Sequence, residues 1–305
     1  MTPLKTITTV AELRRAVARE RAEGRTIGLV ATMGALHDGH LSLVRRARAD
    51  GGAVVMSVFV NPTQFDSGED LAAYPRDEAR DARLAEQAGV DILFAPPDPE
   101  VYPDGFATTV TVAGLTDGLC GRGRGPAHFA GVATVVTKLL NMVAPDVAYF
   151  GQKDAQQVAV IRRLVRDLDI PVRIEVCPTV READGLAMSS RNRRLSPVDR
   201  ARAVGLSRAL HAAQEAADGG ERDPRELARV ARAELADHEI EPEYVELVSP
   251  ETMAPPVGPE HGPVLLALAA RVGAARLIDN TLIVTPARPR TPPAPGIPTP
   301  ASTTP

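Results

Sequence analysis

The stretch TIGLVATMGALHDGHLSLVRRARA, residues 26–49, contains in one run the features that decide the fold. Residues 26–32 are an apolar run typical of a buried strand, and residues 41–49 have the apolar spacing of an amphipathic helix. Between them, Gly34 and Gly39 permit tight turns and a close approach of the main chain to a ligand. A helix that begins directly after a strand offers unpaired N–H groups and the positive end of its dipole, which favour phosphate. The stretch therefore predicts a phosphate-binding strand–turn–helix unit.

The same alternation of short apolar runs with helical patterns continues over the first two thirds of the chain. Further strands are predicted at residues 53–60, 90–95, 107–112, 146–150 and 172–177. Helices are predicted at residues 77–88, 131–143 and 155–168. Strands that alternate with helices of this length predict a Rossmann-like α/β fold, a doubly wound parallel sheet with helices on both faces. Ligands of such sheets bind at the carboxyl ends of the strands, so the residues after each strand are the functional candidates.

The character of the sequence changes after about residue 179. Helices at residues 197–218 and 224–238 and short strands at residues 244–248, 264–272 and 276–284 are predicted there. All six phenylalanines lie before this point. We therefore predict a larger Rossmann-like domain at residues 1–179 and a smaller α+β domain at residues 180–285. Residues 286–305 contain eight prolines and cannot bury enough apolar area to offset the entropy of ordering, so we predict a disordered tail.

Composition and charge exclude several classes of protein. The chain has 305 residues, of which 44% are hydrophobic and 24% charged, which excludes a disordered or fibrous protein. Two cysteines, Cys120 and Cys177, are too few for a disulfide framework or a cysteine-based metal site. A net charge of −4 argues against nucleic acid as a partner. No apolar run approaches the ~18 residues of a membrane span, and no signal peptide is recognised, so we expect a soluble, cytoplasmic protein that binds no membrane.

The turn after the first of these strands also contains two of the six histidines, His37 and His40. At the N-terminus of a helix, two imidazoles three residues apart could donate hydrogen bonds to phosphoryl oxygens as negative charge develops. Two alternatives stay open at this point. The histidines could bind zinc, although no cysteine or acidic cluster follows at the usual spacing, or both could be structural. We favour phosphate chemistry because both histidines lie in one glycine-containing turn.

A second candidate turn, FGQKDAQQ at residues 150–157, repeats the order of strand, glycine and helix. Only three of the 35 basic residues are lysines, and one of them, Lys153, lies in this turn. Because the chain otherwise uses arginine for positive charge, a lysine here suggests that a compact ammonium group is needed, for instance on a phosphate. The alternative is that Lys153 is an ordinary surface charge.

Two further motifs place polar side chains where a ligand could reach them. The motif FVNPTQF, residues 59–65, puts Asn61 and Gln64 at the end of a predicted strand, as uncharged groups for a small polar ligand. The motif GLAMSSRN, residues 185–192, supplies hydroxyls and the guanidinium of Arg191 just beyond the predicted domain boundary. Taken singly, the first could be a simple turn and the second a solvated helix cap.

In combination these motifs resemble a known family. The residues from His37 to His40 are similar to the His-x-Gly-His signature of nucleotidyltransferases that share a fold with class I aminoacyl-tRNA synthetases, and those from Met188 to Arg191 resemble their second signature. The full set resembles the pantoate–β-alanine ligase family over about residues 27–285. The matching motifs, in family order, are TMGALHDGH (32–40), FVNPTQF (59–65), GVATVVTKLL (131–140), FGQKDAQQ (150–157) and GLAMSSRN (185–192).

The resemblance implies a two-step reaction. ATP and (R)-pantoate would form pantoyl adenylate and pyrophosphate, and β-alanine would then displace AMP to give pantothenate, the precursor of coenzyme A. The resemblance also implies Mg²⁺ carried on the phosphates of ATP, with no metal-binding residues and no tightly bound organic cofactor. It implies small-molecule substrates and a homodimer, in which the smaller domain of each chain closes over the ATP site.

The resemblance assigns roles to particular residues. His40 would be the proton-donating residue, and His37, Lys153 and Arg191 would complete the catalytic set. Gln64 would bind pantoate and β-alanine, and Gln157 would bind pantoate. The residues implied to bind ATP are Met33, Gly34, Ala35, Leu36, His37, Asp38, Gly39, His40, Gly151, Gln152, Lys153, Asp154, Val180, Met188, Ser189, Ser190 and Arg191.

The chain departs from the family pattern at two places. Ala31 stands where the family usually has proline. In LCGRGRGPAHF, residues 119–129, one residue more than in the family's Arg-Pro-Gly-His-Phe separates Arg124 from His128, so Arg124 is given no role. Two alternatives to the ligase are an adenylyltransferase acting on a phosphorylated small molecule and a nucleotide-sensing module without turnover, since a fold does not settle function.

Overall fold

The computed structural model describes residue 4 and residues 6–65, 67–256 and 263–284, so the predicted tail, residues 286–305, lies outside the described residues. Its strands are β1 (Thr6–Ile7), β2 (Ile27–Thr32), β3 (Ala53–Val58), β4 (Ile92–Phe94), β5 (Val147–Gly151), β6 (Arg173–Cys177), β7 (Pro242–Val248), β8 (Val264–Val272) and β9 (Ala275–Ile283). Its α-helices are α1 (Val10–Ala22), α2 (Asp38–Ala49), α3 (Gly68–Ala72), α4 (Glu78–Ala88), α5 (Asp98–Val101), α6 (Cys120–Val143), α7 (Ala155–Asp167), α8 (Pro197–Ala203), α9 (Gly205–Asp218) and α10 (Pro224–Asp237). Short 3₁₀ turns lie at Pro62–Gln64, Gln152–Asp154 and Ser190–Arg194.

Strands β1 to β6 form one parallel sheet in the order β1-β4-β3-β2-β5-β6. The chain moves outward from β2 through β3 to β4 on one side, and then from β5 to β6 on the other side of β2. Such a reversal of strand order leaves a crevice at the carboxyl ends of the two strands that meet there. The predicted doubly wound parallel sheet is confirmed, and its crevice lies between the turns that follow β2 and β5.

Apolar side chains cover both faces of this sheet. Buried residues of α1, α6 and α7 pack against one face in the largest core cluster, and buried residues of α2 and α4 pack against the other face. Leu29 and Val30, neighbours in β2, belong to these two different clusters because successive side chains of a strand point to opposite faces. The near-continuous apolar runs of β2 and β3 therefore follow from burial on both sides.

Strands β7, β8 and β9 form a second, antiparallel sheet that also has two buried faces. Tyr244 and Val248 of β7 belong to the largest cluster, together with residues of the first sheet, whereas Val245 and Leu247 pack with α9 and α10. The smaller sheet thus joins the terminal helices to the main body through an apolar contact. The exact boundary at residues 179 and 180 stays a prediction. No helix among the described residues is long and apolar enough to span a membrane.

Some predicted elements differ from those in the structure. The strand predicted at residues 107–112 is wrong: the segment joins no sheet in the part of the chain that the structure describes, and its Val110 N–H donates to the Thr134 side chain at 2.9 Å.

Two predicted helices also differ. The predicted helix 197–218 is two helices that meet at Val204. Gly205 lies so close to His238 there that a Cβ on Gly205 would be 2.6 Å from the His238 Cβ. Helix α6 begins at Cys120, earlier than predicted, with a break at Gly125.

Candidate active site

The turn after β2 brings His37 and His40 together at the start of α2. His37 caps the helix: its Nδ1 accepts from the Gly39 N–H at 3.2 Å, and Nδ1 of His40 accepts from the His37 N–H at 3.4 Å. The two ring centroids are 4.1 Å apart. Because each Nδ1 accepts a hydrogen bond, a neutral ring carries its proton on Nε2. Both histidines can therefore donate an Nε2–H to a ligand in the crevice.

Both imidazoles are disfavoured as cations. Burial lowers the pKa of His37, and the nearby Lys153 and Arg193 charges lower it further. Burial, with a smaller contribution from His37, lowers the pKa of His40 to about 3. At neutral pH the turn therefore presents two neutral donors at a helix N-terminus, an arrangement that suits an anionic ligand.

The lowered pKa of His40 predicts that acid destabilises the fold. A histidine with a lower pKa in the folded state binds its proton more tightly when the chain is unfolded. The contribution of neutral His40 to the free energy of unfolding is therefore complete above about pH 6.5 and is lost as the pH falls towards 3. Between pH 7 and pH 5 we expect the wild type to lose about 1–2 kcal/mol more unfolding free energy than His40→Asn. Urea unfolding at both pH values measures this difference. His211→Asn, at an exposed position of α9, is the matched control, and equal losses in wild type and His40→Asn would contradict the prediction.

The main chain between β2 and His37 is held by a buried carboxylate that sequence analysis missed. Asp81 of α4 accepts from the N–H groups of Ala35 at 2.8 Å and Leu36 at 2.9 Å. Gly34 (φ 81°) and Ala35 (φ 50°) are both left-handed, and a Cβ on Gly34 would lie 2.9 Å from Asp81 Oδ2. The carboxylate thus stabilises a turn that the backbone alone disfavours. Nothing in the local sequence distinguishes Asp81 from the other charged residues of α4.

A chain of side-chain hydrogen bonds sets the orientation of the Gln64 amide at the end of β3. Buried Asn61 accepts on Oδ1 from the Tyr102 hydroxyl at 2.8 Å and from the Thr63 hydroxyl at 3.0 Å. Its Nδ2 donates to Gln64 Oε1 at 2.9 Å and to the Gly131 carbonyl at 3.2 Å. Gln64 therefore turns its Nε2–H group towards Met33 Sδ, 3.1 Å away. The amide offers donors for an anionic or hydroxylated ligand without a formal charge.

Helix α6 also contacts the main chain of the turn that contains Thr63 and Gln64. His128 Nδ1 lies 2.6 Å from the Gln64 carbonyl oxygen. Gly131 faces the Thr63 carbonyl so closely that a Cβ would be only 2.4 Å from its oxygen. The glycine in the GVATVVTKLL motif is therefore required by a close backbone approach rather than by a turn.

The turn after β5 places Lys153 on the other side of the crevice. Residues Gln152–Asp154 form a 3₁₀ turn that leads into α7, and Gln157 is half-buried in the first turn of that helix. The Gln152 side chain is bound to the smaller sheet, because its Nε2 donates to Oδ1 of Asn280 in β9 at 3.0 Å. Lys153, Ser189 and Arg191 line one small cavity. The lysine and the second signature motif therefore face the same space.

Residues 180–191 meet the first signature motif directly. The Met188 N–H donates to the Val180 carbonyl at 2.9 Å, and Met188 Sδ lies 3.2 Å from the Gly39 N–H. Ser189 caps the 3₁₀ turn Ser190–Arg194 through a hydrogen bond to the Arg191 N–H. Burial lowers the pKa of Arg191 and the charge of Arg124 lowers it further, whereas the charge of Asp154 raises it. Gly39 and Met188, 149 positions apart in sequence, thus bring the two motifs together, and we call the region around them that contains Lys153 and Arg191 the cationic site.

Comparisons with known proteins show the family to which the chain belongs. A family profile described as pantoate-beta-alanine ligase matches residues 5–282. The chain belongs to this family. The chain is 56% identical to a pantothenate synthetase of Heliobacterium modesticaldum, over 87% of this chain and 95% of that protein. It is 52% identical to that of Moorella thermoacetica, over 92% of this chain and 99% of that protein.

Solved structures of pantothenate synthetases have the same fold. The enzyme from Thermus thermophilus is similar with a TM-score of 0.85 and 50% identity, covering 92% of this chain and all of that one. Pantoate-beta-alanine ligase from Francisella tularensis, complexed with beta-gamma ATP and beta-alanine, is similar with a TM-score of 0.72 and 32% identity. That match covers 92% of this chain and 97% of the Francisella chain.

Helix α6 is interrupted at a glycine within the segment that has one residue more than the family's Arg-Pro-Gly-His-Phe pattern. Gly125 has φ 73° and ψ 168°, a conformation open almost only to glycine, and it interrupts α6 directly before Pro126. Arg124, just before this break, is close enough to Arg191 to lower its pKa. The structure therefore brings Arg124, which sequence analysis left without a role, to the edge of the cationic site.

Proposed function

We propose that this chain catalyses the ATP-dependent condensation of (R)-pantoate with β-alanine through a pantoyl adenylate. The observation that carries the proposal is the contact between the two signature motifs at Gly39 and Met188, with His40 and Lys153 beside it. A helix N-terminus beside cationic side chains favours an anionic ligand, which supports a polyphosphate as the group bound here. The Francisella ligase, bound to beta-gamma ATP and beta-alanine, supports ATP as the substrate that fills it.

In the first step, a carboxylate oxygen of pantoate attacks the α-phosphorus of ATP and pyrophosphate leaves. We propose that the Nε2–H groups of His37 and His40, the Lys153 ammonium and the Arg191 guanidinium stabilise the charge that develops on the phosphoryl oxygens. No side chain needs to form a covalent intermediate. The turn residues from Met33 to Gly39 and Gly151 to Asp154, with Val180 and residues 188–191, are proposed to enclose the nucleotide.

In the second step, the amine of β-alanine attacks the carbonyl carbon of pantoyl adenylate, and AMP leaves. Gln64 is proposed to bind pantoate and to lie beside the incoming amine, and Gln157 to bind pantoate from the other side. Neutral amides already suit the first step, because a tight salt bridge would hold the free pantoate carboxylate and reduce its nucleophilicity towards the α-phosphorus. Asn61 already holds Gln64 Oε1, so that the Gln64 donors are turned towards Met33.

Magnesium is proposed to enter with the nucleotide. Among the described residues, no group of three or more His, Cys, Asp or Glu side chains could hold a metal ion by itself. Mg²⁺ typically keeps its waters and binds to substrate phosphates, where it neutralises charge.

We also propose a cytoplasmic homodimer with a domain boundary near residue 179. The cytoplasmic location and the homodimer rest on the resemblance to the family, and the end of the first sheet at Cys177 supports the boundary.

Omission of each substrate in turn tests the proposed function. The purified protein is incubated with ATP, Mg²⁺, pantoate and β-alanine, and pyrophosphate, AMP and pantothenate are measured. We expect pyrophosphate to require ATP and pantoate, and AMP release to require β-alanine as well. A stable adenylylated product that no amine discharges would instead favour an adenylyltransferase, and ATP binding without turnover would favour a sensor.

Loss of the Tyr102 hydroxyl is expected to weaken pantoate binding. Burial raises the pKa of Tyr102, so its hydroxyl stays protonated and donates to Asn61. In Tyr102→Phe, Asn61 Oδ1 keeps only the Thr63 hydroxyl as a donor, while Nδ2 still donates to Gln64 and Gly131. We expect kcat/KM for pantoate to fall about 5–10-fold, equivalent to one hydrogen bond of ~1 kcal/mol, while KM for ATP stays within about 2-fold. Thr109→Ala, at an exposed position nearby in sequence, is the control. An equal rise in both KM values would contradict an effect through Gln64.

A further inference from the structure

Asn280 of β9 joins the smaller sheet to the turn that contains Lys153. Its Nδ2 donates to the carbonyls of Gln152 at 3.0 Å and Lys153 at 2.9 Å. Its Oδ1 accepts from Gln152 Nε2 at 3.0 Å. Asn280 is only 5% exposed, so these three hydrogen bonds are shielded from water.

The neighbour of Asn280 holds the other nucleotide-facing segment. Asp279 accepts from both terminal nitrogens of Arg181, at 2.6 and 3.1 Å, and its Oδ1 accepts from the Asn280 N–H at 2.8 Å. Arg181 in turn donates to the Gly185 carbonyl at 3.1 Å, inside the loop that leads to Met188. A bidentate ion pair with a buried carboxylate fixes position as well as charge. Two consecutive residues of one strand thus reach both halves of the cationic site.

We propose that Asn280 is a positioning residue for adenylate formation, which acts by fixing the backbone from which the Lys153 side chain extends. The carbonyls before and after the Lys153 Cα are both held by one amide group. Because the backbone of Lys153 is fixed, the side chain that carries the ammonium group extends from a defined position before the phosphates bind. Less of the binding energy is then spent on ordering the turn. The inference rests on the proposed function.

The test is Asn280→Asp, which keeps the shape and the acceptor but removes both donors. In single-turnover assays we expect pantoyl adenylate formation to slow about 10-fold, while the reaction of preformed pantoyl adenylate with β-alanine stays within about 2-fold. Asn141→Asp is the matched control, because exposed Asn141 of α6 also donates to a carbonyl, that of Thr137, at 2.9 Å. Asn280→Ala runs in parallel, so that the result does not depend on one variant folding.

A double-mutant cycle separates positioning of Lys153 from a general structural role. If Asn280 acts through Lys153, Asn280→Asp and Asn280→Ala should each cost less than about 2-fold in a Lys153→Ala background. Additive losses, or equal losses in both half-reactions, would overturn the inference. Unchanged adenylate formation in both Asn280 variants would overturn it too. A wild type that forms no pantoyl adenylate from ATP and pantoate would instead overturn the proposed function.

Discussion

Replacing Lys153 by arginine is expected to slow pantoyl adenylate formation about 100-fold, equivalent to ~2.7 kcal/mol in activation free energy. Lys153 lines the same cavity as Ser189 and Arg191, and its charge lowers the pKa of His37. A compact ammonium can follow the phosphates as pyrophosphate leaves, whereas a planar guanidinium binds in a fixed, forked geometry. We therefore expect turnover to suffer more than the binding of ATP.

The half-reactions locate this effect. The step from preformed pantoyl adenylate and β-alanine should be largely spared in Lys153→Arg, because pyrophosphate has already left. Lys138→Arg is the matched control: it makes the same exchange on α6, where Lys138 Nζ lies 4.5 Å from the centre of the Phe106 ring. Equal losses in both half-reactions would mean that Lys153 supports the architecture of the site. Full activity in both half-reactions would mean that Lys153 is an ordinary surface charge.

His40→Ala is expected to lower turnover at least about 100-fold, the loss typical of removing one donor to a developing oxyanion. Nδ1 of His40 accepts from the His37 N–H, so the variant removes the Nε2–H that is left to donate to a ligand. The fold should persist, because Asp81 and Gly34 hold the preceding turn. Circular dichroism and steady-state kinetics with saturating pantoate and ATP measure the two effects.

A second substitution distinguishes donation from packing. His40→Gln offers an amide N–H from a side chain of similar reach and should recover part of the activity that His40→Ala loses. His211→Ala, on the exposed side of α9, should retain wild-type turnover. If His40→Ala keeps near-wild-type turnover, the charge on the phosphate is not stabilised through His40 and its proposed role is wrong.

Local sequence patterns were sufficient for most of the architecture. The apolar run from residue 27 to 32, two glycines and an amphipathic helix predicted the turn at His37 and its place at the end of a strand. Repetition of that pattern predicted the parallel sheet, which the strand order confirms. These features depend on residues a few positions apart, whose spacing decides which face of a strand or helix is buried.

Elements that need a distant partner were predicted less well. The β-branched threonines and valines at residues 108–112 favour an extended chain, but a strand also needs a neighbour, and the segment joins no sheet among the described residues. The two-residue strand β1 was missed for the converse reason: Thr6–Ile7 shows no periodicity and is a strand only because β4 lies beside it.

The sequence by itself determined the fold class and the family, because each of these depends on short motifs in a fixed order. Only the tertiary structure decided which side chains hold those motifs in place. Asp81, Tyr102 and Asn280 hydrogen-bond to partners 46, 41 and 128 positions away. Such contacts depend on how the whole intervening chain folds, and a single polar side chain leaves no periodic pattern in the sequence around it.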